Sequence, residues 1–348
     1  MRRGFKVLQL FGRDLLAMSQ RRREQWTSRA LQYWRETGFP YPYLDADEIE
    51  WEFELLRNSV TTTAFVGRML GATTIGLRLA NSFHPQMWHV RSQQHRLAPI
   101  DYFHDDTCLQ ALLARAPRFW PNRRCWNAQC VRSLFRAYSS GRVANFRPLA
   151  ARAIIERFSG SGGRVLDFCA GFGGRLLGSL TLKRHYIGID ASYLQVDGSK
   201  NMLETLRNLS VGSADLYHAS AEDFLPTVHA SSVDLVFSSP PFFNAELYGE
   251  EPTQSTQRYR TYQDWVDFFL RVIIAEAHRI LRPGGFLVIN VANNRRFPLR
   301  NDTLRLAIPL FGPPKTIRLA MHSRPLQRSK GIQIFRSEPV LVFKNPYT

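Results

Sequence analysis

The stretch "RVLDFCAGFGGRLLGSLTL", residues 164–182, carries a strand, a glycine-rich turn and the start of a helix in one short run. Residues 164–170 read as a short buried strand, and a helix starts at Gly173-Gly174. Gly171, Gly173 and Gly174 stand at the join, where a backbone without Cβ atoms can approach a ligand closely. The dinucleotide fingerprint G-x-G-x-x-G is not met, because position 176 is Leu.

The same alternation continues downstream. Strands are expected at 185–190 (HYIGID), 214–220 (ADLYHAS), 233–238 (VDLVFS) and 284–293 (GGFLVINVAN), and a final pair at 315–323 and 338–345, joined by a basic loop. Helices are expected at 194–209 and, long and amphipathic, at 261–281. A helix over 145–158 precedes the first strand, with Asn145 as its cap and Pro148 in its first turn. Strand-helix alternation of this kind gives an α/β, Rossmann-like fold with a mostly parallel sheet and helices on both faces. Ligands bind such sheets at the carboxyl ends of the strands. Four features fall on that edge: the loop after Asp167, Asp190, the Glu222/Asp223 pair and the tip of the strand at 233–238.

That tip reads "SSPPFF", residues 238–243. Two successive prolines fix φ, remove two backbone donors and push the preceding residues toward extended conformations. A strand thus runs into a stiff, extended turn that ends in aromatic rings.

Composition frames the partner. The 348 residues carry a net charge of +17, divided as 22 Lys/Arg against 12 Asp/Glu in 1–150, 8 against 11 in 151–250, and 16 against 6 in 251–348. Basic flanks around a slightly acidic middle suit a polyanion held around a site. Arginine, which dominates over lysine, is the better fork for phosphate and base edges. In the first 140 residues, helical spacing at 48–60 and 106–116 alternates with loops that mix Arg with Trp and Phe. Those aromatics serve either base stacking or an ordinary core. Four unpaired cysteines (Cys108, Cys125, Cys130, Cys169) fit a reducing, cytoplasmic setting, and their spacing predicts no metal site. No run is apolar enough to span a membrane, and the basic start "MRRGFKVLQLFGRDLLAMSQRRREQW" reads as a surface helix or arm rather than a targeting segment.

Taken together, these residues resemble the class I S-adenosylmethionine-dependent methyltransferases, and among them the amino-methyltransferases of DNA bases, including those of phages and prophages. "DFCAGFGG" looks like the D-P-F-x-G-x-G-T cofactor motif, with Phe168 for the usual Pro and Gly174 for the usual Thr. "SPPF", residues 239–242, looks like the catalytic [D/N/S]-P-P-[Y/F/W] motif, and residues 145–158 resemble the helix that closes over the methionine end of the cofactor. The resemblance covers about residues 145–348 and implies a seven-stranded sheet. It implies S-adenosylmethionine as cofactor, bound by Asp167, Phe168, Ala170, Gly171, Gly173, Asp190 and Asp223. Asp190 would take the ribose hydroxyls and Asp223 the adenine amino group. It assigns catalysis to Ser239, Pro240, Pro241 and Phe242.

The chemistry of the tip agrees. An exocyclic base amine is a poor nucleophile, because its lone pair is delocalised into the ring. Acceptors from Ser239 and the Pro240 carbonyl would hold its N–H groups and aim the lone pair, with the prolines keeping both acceptors stiff. Phe242 offers the base a face, and Phe243 reads as structural. A duplex base must be flipped out to reach the tip. The implied partner is double-stranded DNA, with RNA the secondary expectation and no membrane. Ser before the prolines favours cytosine N4 over adenine N6 in this family. A cysteine nucleophile for carbon-5 methylation is lacking. Only 65 positions separate Gly174 from Ser239, so no recognition domain is inserted there. Recognition is therefore expected in a mainly helical region 1–144, ahead of a catalytic domain 145–348. The segment 244–265 reads as a lid, with Tyr248, Gln254, Arg258 and Tyr259 as candidate contacts to the flipped base or its phosphates. Other classes that the same residues admit are an RNA or protein-glutamine methyltransferase and a nucleic-acid-binding subunit with a degenerate methyltransferase fold.

Overall fold

The computed structural model describes residues 9–61, 65–66, 69–92, 97–138, 143–320, 327–329, 332–334 and 337–346. The first residues of the basic start and most of the basic loop between the last two sheet strands lie outside this set.

Two compact units divide the chain. The first comprises Met1–Tyr43, Pro85–Ala144 and Ala245–Tyr248, and the second comprises Leu44–His84, Asn145–Asn244 and Gly249–Thr348. The single boundary expected at residue 144 is thereby corrected. The reason is packing: α3 (Ala46–Asn58) and α4 (Leu77–Ser82) put Phe53, Leu56, Leu79 and Ala80 into the same apolar cluster as Ile154, Leu176 and Leu177.

In the first unit, α1 (Gly12–Ala17), α2 (Gln20–Thr37), α5 (Pro99–His104), α6 (Asp106–Phe119) and α7 (Ala128–Tyr138) accompany a short ladder of β3 (Arg91–Ser92) with β8 (Glu246–Leu247). Several of its aromatics are core. Trp34, Trp88 and Trp126 are at most 3% exposed. The Trp34 indole donates to the Trp126 carbonyl at 3.2 Å, and the Trp126 indole to the Leu113 carbonyl at 2.9 Å. Burying both indoles with their N–H groups satisfied rules these rings out as base-stacking platforms.

The second unit is the α/β sheet. Its strands are β1 (Phe65–Val66), β2 (Met69–Leu70), β4 (Arg164–Asp167), β5 (His185–Asp190), β6 (Ser213–His218), β7 (Val233–Ser238), β9 (Leu281–Asn290), β10 (Lys315–Ala320) and β13 (Ser337–Lys344). They lie in the order β1-β2-β10-β13-β9-β7-β4-β5-β6. From β9 to β6 all neighbours are parallel, whereas β13 runs antiparallel between β9 and β10. Among the described residues the sheet therefore has nine strands rather than seven, because the two-residue strands β1 and β2 extend its β10 edge. A separate hairpin pairs β11 (Gln327–Ser329) with β12 (Ile332–Ile334).

Successive strand residues point to opposite faces. Val165, Tyr186, Leu235 and Val288 enter one apolar layer, beneath α8 (Pro148–Phe158), α9 (Gly174–Leu180) and α10 (Tyr193–Thr205). Their neighbours Leu166, Ile187, Val236 and Ile289 enter the other, with α11 (Ala221–Phe224), α14 (Arg271–Ile280) and α15 (Leu299–Phe311). Two sequence expectations change in detail. The long helix at 261–281 is α13 (Tyr262–Asp264), a π-helical turn at Trp265–Leu270, and then α14. The Pro283-Gly284-Gly285 turn lies inside β9, where the register against β7 slips between Val233 and Leu235. Among the described residues no helix is long and apolar enough to cross a membrane.

Helices α8 and α9 meet at Gly178, where an added Cβ would lie 2.7 Å from the Pro148 carbonyl and 2.8 Å from the Arg152 nitrogen. Alanine is a better helix former than glycine by about 1 kcal/mol. Gly178→Ala is nonetheless expected to destabilise, by about 1–3 kcal/mol, because backbone rather than a flexible side chain must yield. Urea denaturation checks the sign.

Candidate active site

Beneath the carboxyl ends of β4 and β7 lies a buried ionic hub. Asp167 is fully buried. Its Oδ2 accepts from Arg175 Nε at 2.6 Å and from the Tyr186 hydroxyl at 2.6 Å. Its Oδ1 accepts from the Ser238 hydroxyl at 2.7 Å and, more loosely, from the Cys169 N–H at 3.3 Å. Arg175 also donates to the Cys169 carbonyl and lies against the Phe146 and Phe237 rings. Every acceptor site of Asp167 is thus committed to the protein. The residue expected to bind cofactor directly instead fixes the loop from below.

The loop above the hub requires glycine for two different reasons, conformation and packing, and Gly173, at φ +71° with an added Cβ 2.7 Å from the Met202 side chain, combines both. Gly171 has φ +59°, and a Cβ there would meet nothing nearer than 3.9 Å, so conformation demands glycine while space stays open beside it. Gly174 is a packing constraint, since a Cβ would collide with the Phe146 carbonyl and lie 2.5 Å from Asn145 Oδ1. Phe168 is buried in the sheet core, and the Ala170 N–H donates to the Ile189 carbonyl at 2.9 Å, so both act through the backbone.

Asn145 departs from its expected role. The cap of α8 is Arg147, one residue before Pro148. The buried Asn145 amide instead clamps the loop: Nδ2 donates to the Phe172 carbonyl at 2.7 Å, and Oδ1 accepts from the Gly174 N–H at 3.1 Å. Asn81, from the segment assigned by sequence to the other domain, accepts from Asn145 Nδ2 at 3.1 Å. Three residues on, His84 wedges against Gly173 and Gly198. Burial pushes its pKa down to about 3, so it packs as a neutral ring.

Asp190 sits at the end of β5, nearly buried. Its oxygens accept from the Gly171 N–H at 2.7 Å and the Ser192 N–H at 2.9 Å, and the Gln195 amide lies against both, where the hydrogen-bonding pattern assigns its nitrogen rather than its oxygen to face the carboxylate. Burial raises its pKa to about 6, against the lowering pull of the Ser192 and Gly171 donors. Desolvation, with Asp190 and Asp167 nearby, pushes the Cys169 thiol well above its ordinary range, so it is no thiolate nucleophile.

The segment after the tip is tied down. Thr253 donates to the Ala191 carbonyl at 2.5 Å and accepts at its own carbonyl from Ser220 at 2.9 Å, while Ser192 donates to Glu251 at 3.2 Å. Arg258 holds both oxygens of Asp223 at 2.7 and 3.1 Å and reaches Glu222 at 2.9 Å. The Tyr259 hydroxyl donates to Glu222 at 2.7 Å. Asp223, Arg258 and Tyr259, each expected to present its polar group to a ligand, are bonded to one another and to Glu222 in this structure. Gln254 is buried against Glu251. Tyr248 belongs to the first unit, where its hydroxyl donates to Glu246.

At the tip the two serines differ sharply. Ser238 is fully buried and spans Asp167 Oδ1 and, at 3.1 Å, the Cys169 N–H. Ser239 is half-buried, and its hydroxyl has only long 3.4 Å contacts, to the carbonyl and the side-chain oxygen of Asn290. Pro240 is buried, and Pro241 is half-buried, as is Phe242, which packs on the sheet core. Phe243, at φ +56°, is buried among Tyr262, Trp265 and Phe297, a structural anchor for the turn. Among the described residues, no group of three or more His, Cys, Asp or Glu is arranged to hold a metal. Sequence reasoning missed Arg175, Tyr186, Ser238 and Asn81. Arg175 alone left a signal, as a charged residue in an otherwise apolar first helical turn behind Asp167.

Comparison with known proteins bears on the tip. Residues 233–335 match the family described as DNA methylase, of the N6 and N4 type. The Type II methyltransferase M.BglI of Bacillus subtilis is 27% identical over 125 residues, covering 36% of this chain and 31% of that protein. The chain thus spans about a third of the length of this curated relative. Among solved structures, TrmN from Thermus thermophilus superposes with a TM-score of 0.39 at 15% identity, over 57% of this chain and 48% of that one. The tRNA (m1A58) methyltransferase TrmI from Aquifex aeolicus gives 0.41 at 12% identity, over 60% and 72%.

The serine pair yields a stability test. Ser238→Ala leaves Asp167 short of a donor in a buried site and is expected to cost about 1–3 kcal/mol. Ser239→Ala, which loses only long contacts, is expected to cost less than about 0.5 kcal/mol. Chemical denaturation of both variants measures the difference.

Proposed function

We propose that this chain is a DNA methyltransferase that uses S-adenosylmethionine to methylate the exocyclic amine of a flipped base, cytosine N4 in preference to adenine N6. The observation that carries this is the asymmetry of the serine pair: Ser238 is spent on Asp167, while Ser239 keeps a lightly engaged hydroxyl at the start of a rigid Pro-Pro-Phe turn. The match of residues 233–335 to the N6 and N4 DNA methylases supports the same chemistry.

The residues around Asp190 fit an adenosine group. A carboxylate fixed by two backbone donors stands beside open space at Gly171, and its oxygens accept from hydroxyls. When bound, S-adenosylmethionine supplies an electrophilic methyl group on a sulfonium. The chain supplies placement. Asn145 and the Asp167 hub fix the loop, Ser239 Oγ and the Pro240 carbonyl accept the amine N–H groups, and Phe242 offers the base an apolar face. Because the acceptors sit on a turn stiffened by prolines, they need no reorganisation as charge develops. No strong general base is required, since the amine proton becomes acidic once the nitrogen turns cationic. A duplex base reaches this turn only outside the stack.

Digestion of labelled DNA to nucleosides tests the proposal, with N4-methylcytosine as the expected product. N6-methyladenine would overturn the base assignment, label in RNA alone the substrate, and no label with cofactor bound the activity. Ser239→Ala is expected to lower turnover by about 10²–10³ with cofactor affinity unchanged.

The pH dependence of cofactor binding follows from Asp190. Hydroxyl donors favour the ionised carboxylate, so a proton on Asp190 competes with the ligand. With the pKa at about 6, affinity is expected to be level above neutrality and about tenfold weaker at pH 5. Calorimetry in two buffers of different ionisation enthalpy should show proton release at pH 5 and none at pH 8.

A further inference from the structure

We infer that the outer face of α2 docks on double-stranded DNA, an assignment that rests on the proposed function and gives it a named contact surface. Charge is concentrated in the first unit. Its 107 residues hold 18 Lys/Arg against 7 Asp/Glu, a net +11 of the chain's +17, and every basic residue except Lys6 is arginine. The longest helix of that unit, α2, separates its faces cleanly. Thr27, Ala30 and Trp34 are buried. At 100° per residue, Arg21, Arg22, Gln25, Ser28, Arg29 and Gln32 fall within an arc of about 120° on the opposite side. All six are exposed.

One acidic group, the exposed Glu36, also falls in this arc, at its C-terminal end, where it accepts from Gln32 at 3.0 Å; Glu24, outside the arc, accepts from Gln20 at 2.9 Å. The arc therefore carries three arginines against one carboxylate, and the arginines lie toward its N-terminal part. Arg35 is spent on Asp106 at 2.6 Å and Arg23 on the Leu16 and Met18 carbonyls. Among the described residues, no ion pair engages Arg21, Arg22 or Arg29. Arg29 lies 5.0 Å above the Trp26 ring, which orders its guanidinium at the edge of the arc. Arginine, glutamine and serine are the side chains that bond phosphate oxygens and base edges. A helix is also the element that the major groove of a duplex admits. An apolar partner is not served by this face, and an acidic protein would leave the glutamine and serine of the arc without purpose.

Binding of the full chain to a fluorescent duplex, measured at several salt concentrations, tests the docking. Arg21→Ala/Arg22→Ala/Arg29→Ala, checked for an unchanged circular dichroism melt, is expected to weaken binding at least tenfold. It should also reduce the slope of log affinity against log salt by about 2 to 3, as loss of three phosphate contacts requires. Cofactor affinity should not change. Arg207→Ala, which removes a charge from the second unit, serves as control and should leave binding unaltered. The docking is overturned by an unchanged salt slope in the triple variant, by an equal loss in Arg207→Ala, or by tighter binding of RNA than of duplex DNA. If the salt slope changes as expected but no DNA base is methylated, the docking stands and the transferase activity fails.

Discussion

Everything at the carboxyl edge of the sheet hangs on the buried pair of Asp167 and Arg175. Two charges taken out of water are stable only when their remaining hydrogen-bonding capacity is met, and removing one partner typically costs about 3–5 kcal/mol. Tyr186 and Ser238 meet it here. The hub joins three parallel strands and the helix after the first of them: Asp167 ends β4, Tyr186 lies on β5, Ser238 ends β7 and Arg175 opens α9. It sets the height of the glycine loop relative to the Ser-Pro-Pro tip. The distance between the two halves of the site is therefore fixed by a core interaction and not by the loops themselves.

A second constraint comes from the far side of the loop. Asn145 bonds the backbone on either side of Gly173, Asn81 bonds Asn145, and His84 fills the space that two glycines leave. Residues 44–84 are thus part of the α/β unit, with β1 and β2 extending its sheet. The lid that the sequence suggested is fastened in this structure by Arg258 and Tyr259 to Glu222 and Asp223, and by Thr253 and Glu251 to the turn after Asp190. Polar residues that looked like ligand contacts also pin that segment.

Much of the fold was legible because its signals are local. Short apolar runs, glycine turns and apolar helical spacing each occupy under twenty residues, and their order alone implies parallel strands with crossover helices. Asp190 and the Ser-Pro-Pro-Phe turn were legible for the same reason: each terminates a strand. What escaped were pairings between residues far apart in the chain. Asn145 looked like a helix cap because asparagine favours that position and Pro148 would then fall in the first turn, and only its buried neighbours reveal the clamp. Asp223 and Arg258 each looked available to a ligand because nothing in a linear sequence shows that they satisfy one another.

The sequence by itself determined the alternation of strands and helices, the stiff tip with Ser239 at its head, the acid at the end of β5 and the two basic flanks around a slightly acidic middle. Only the tertiary structure decided which of two adjacent serines is engaged in the core, which charged side chains are already paired, and that a segment before residue 85 supports the glycine loop. The division follows from the range of the forces involved. Backbone conformation and amphipathic period are set by neighbours a few residues away, whereas desolvation and ion pairing depend on what the folded chain brings within a few ångströms.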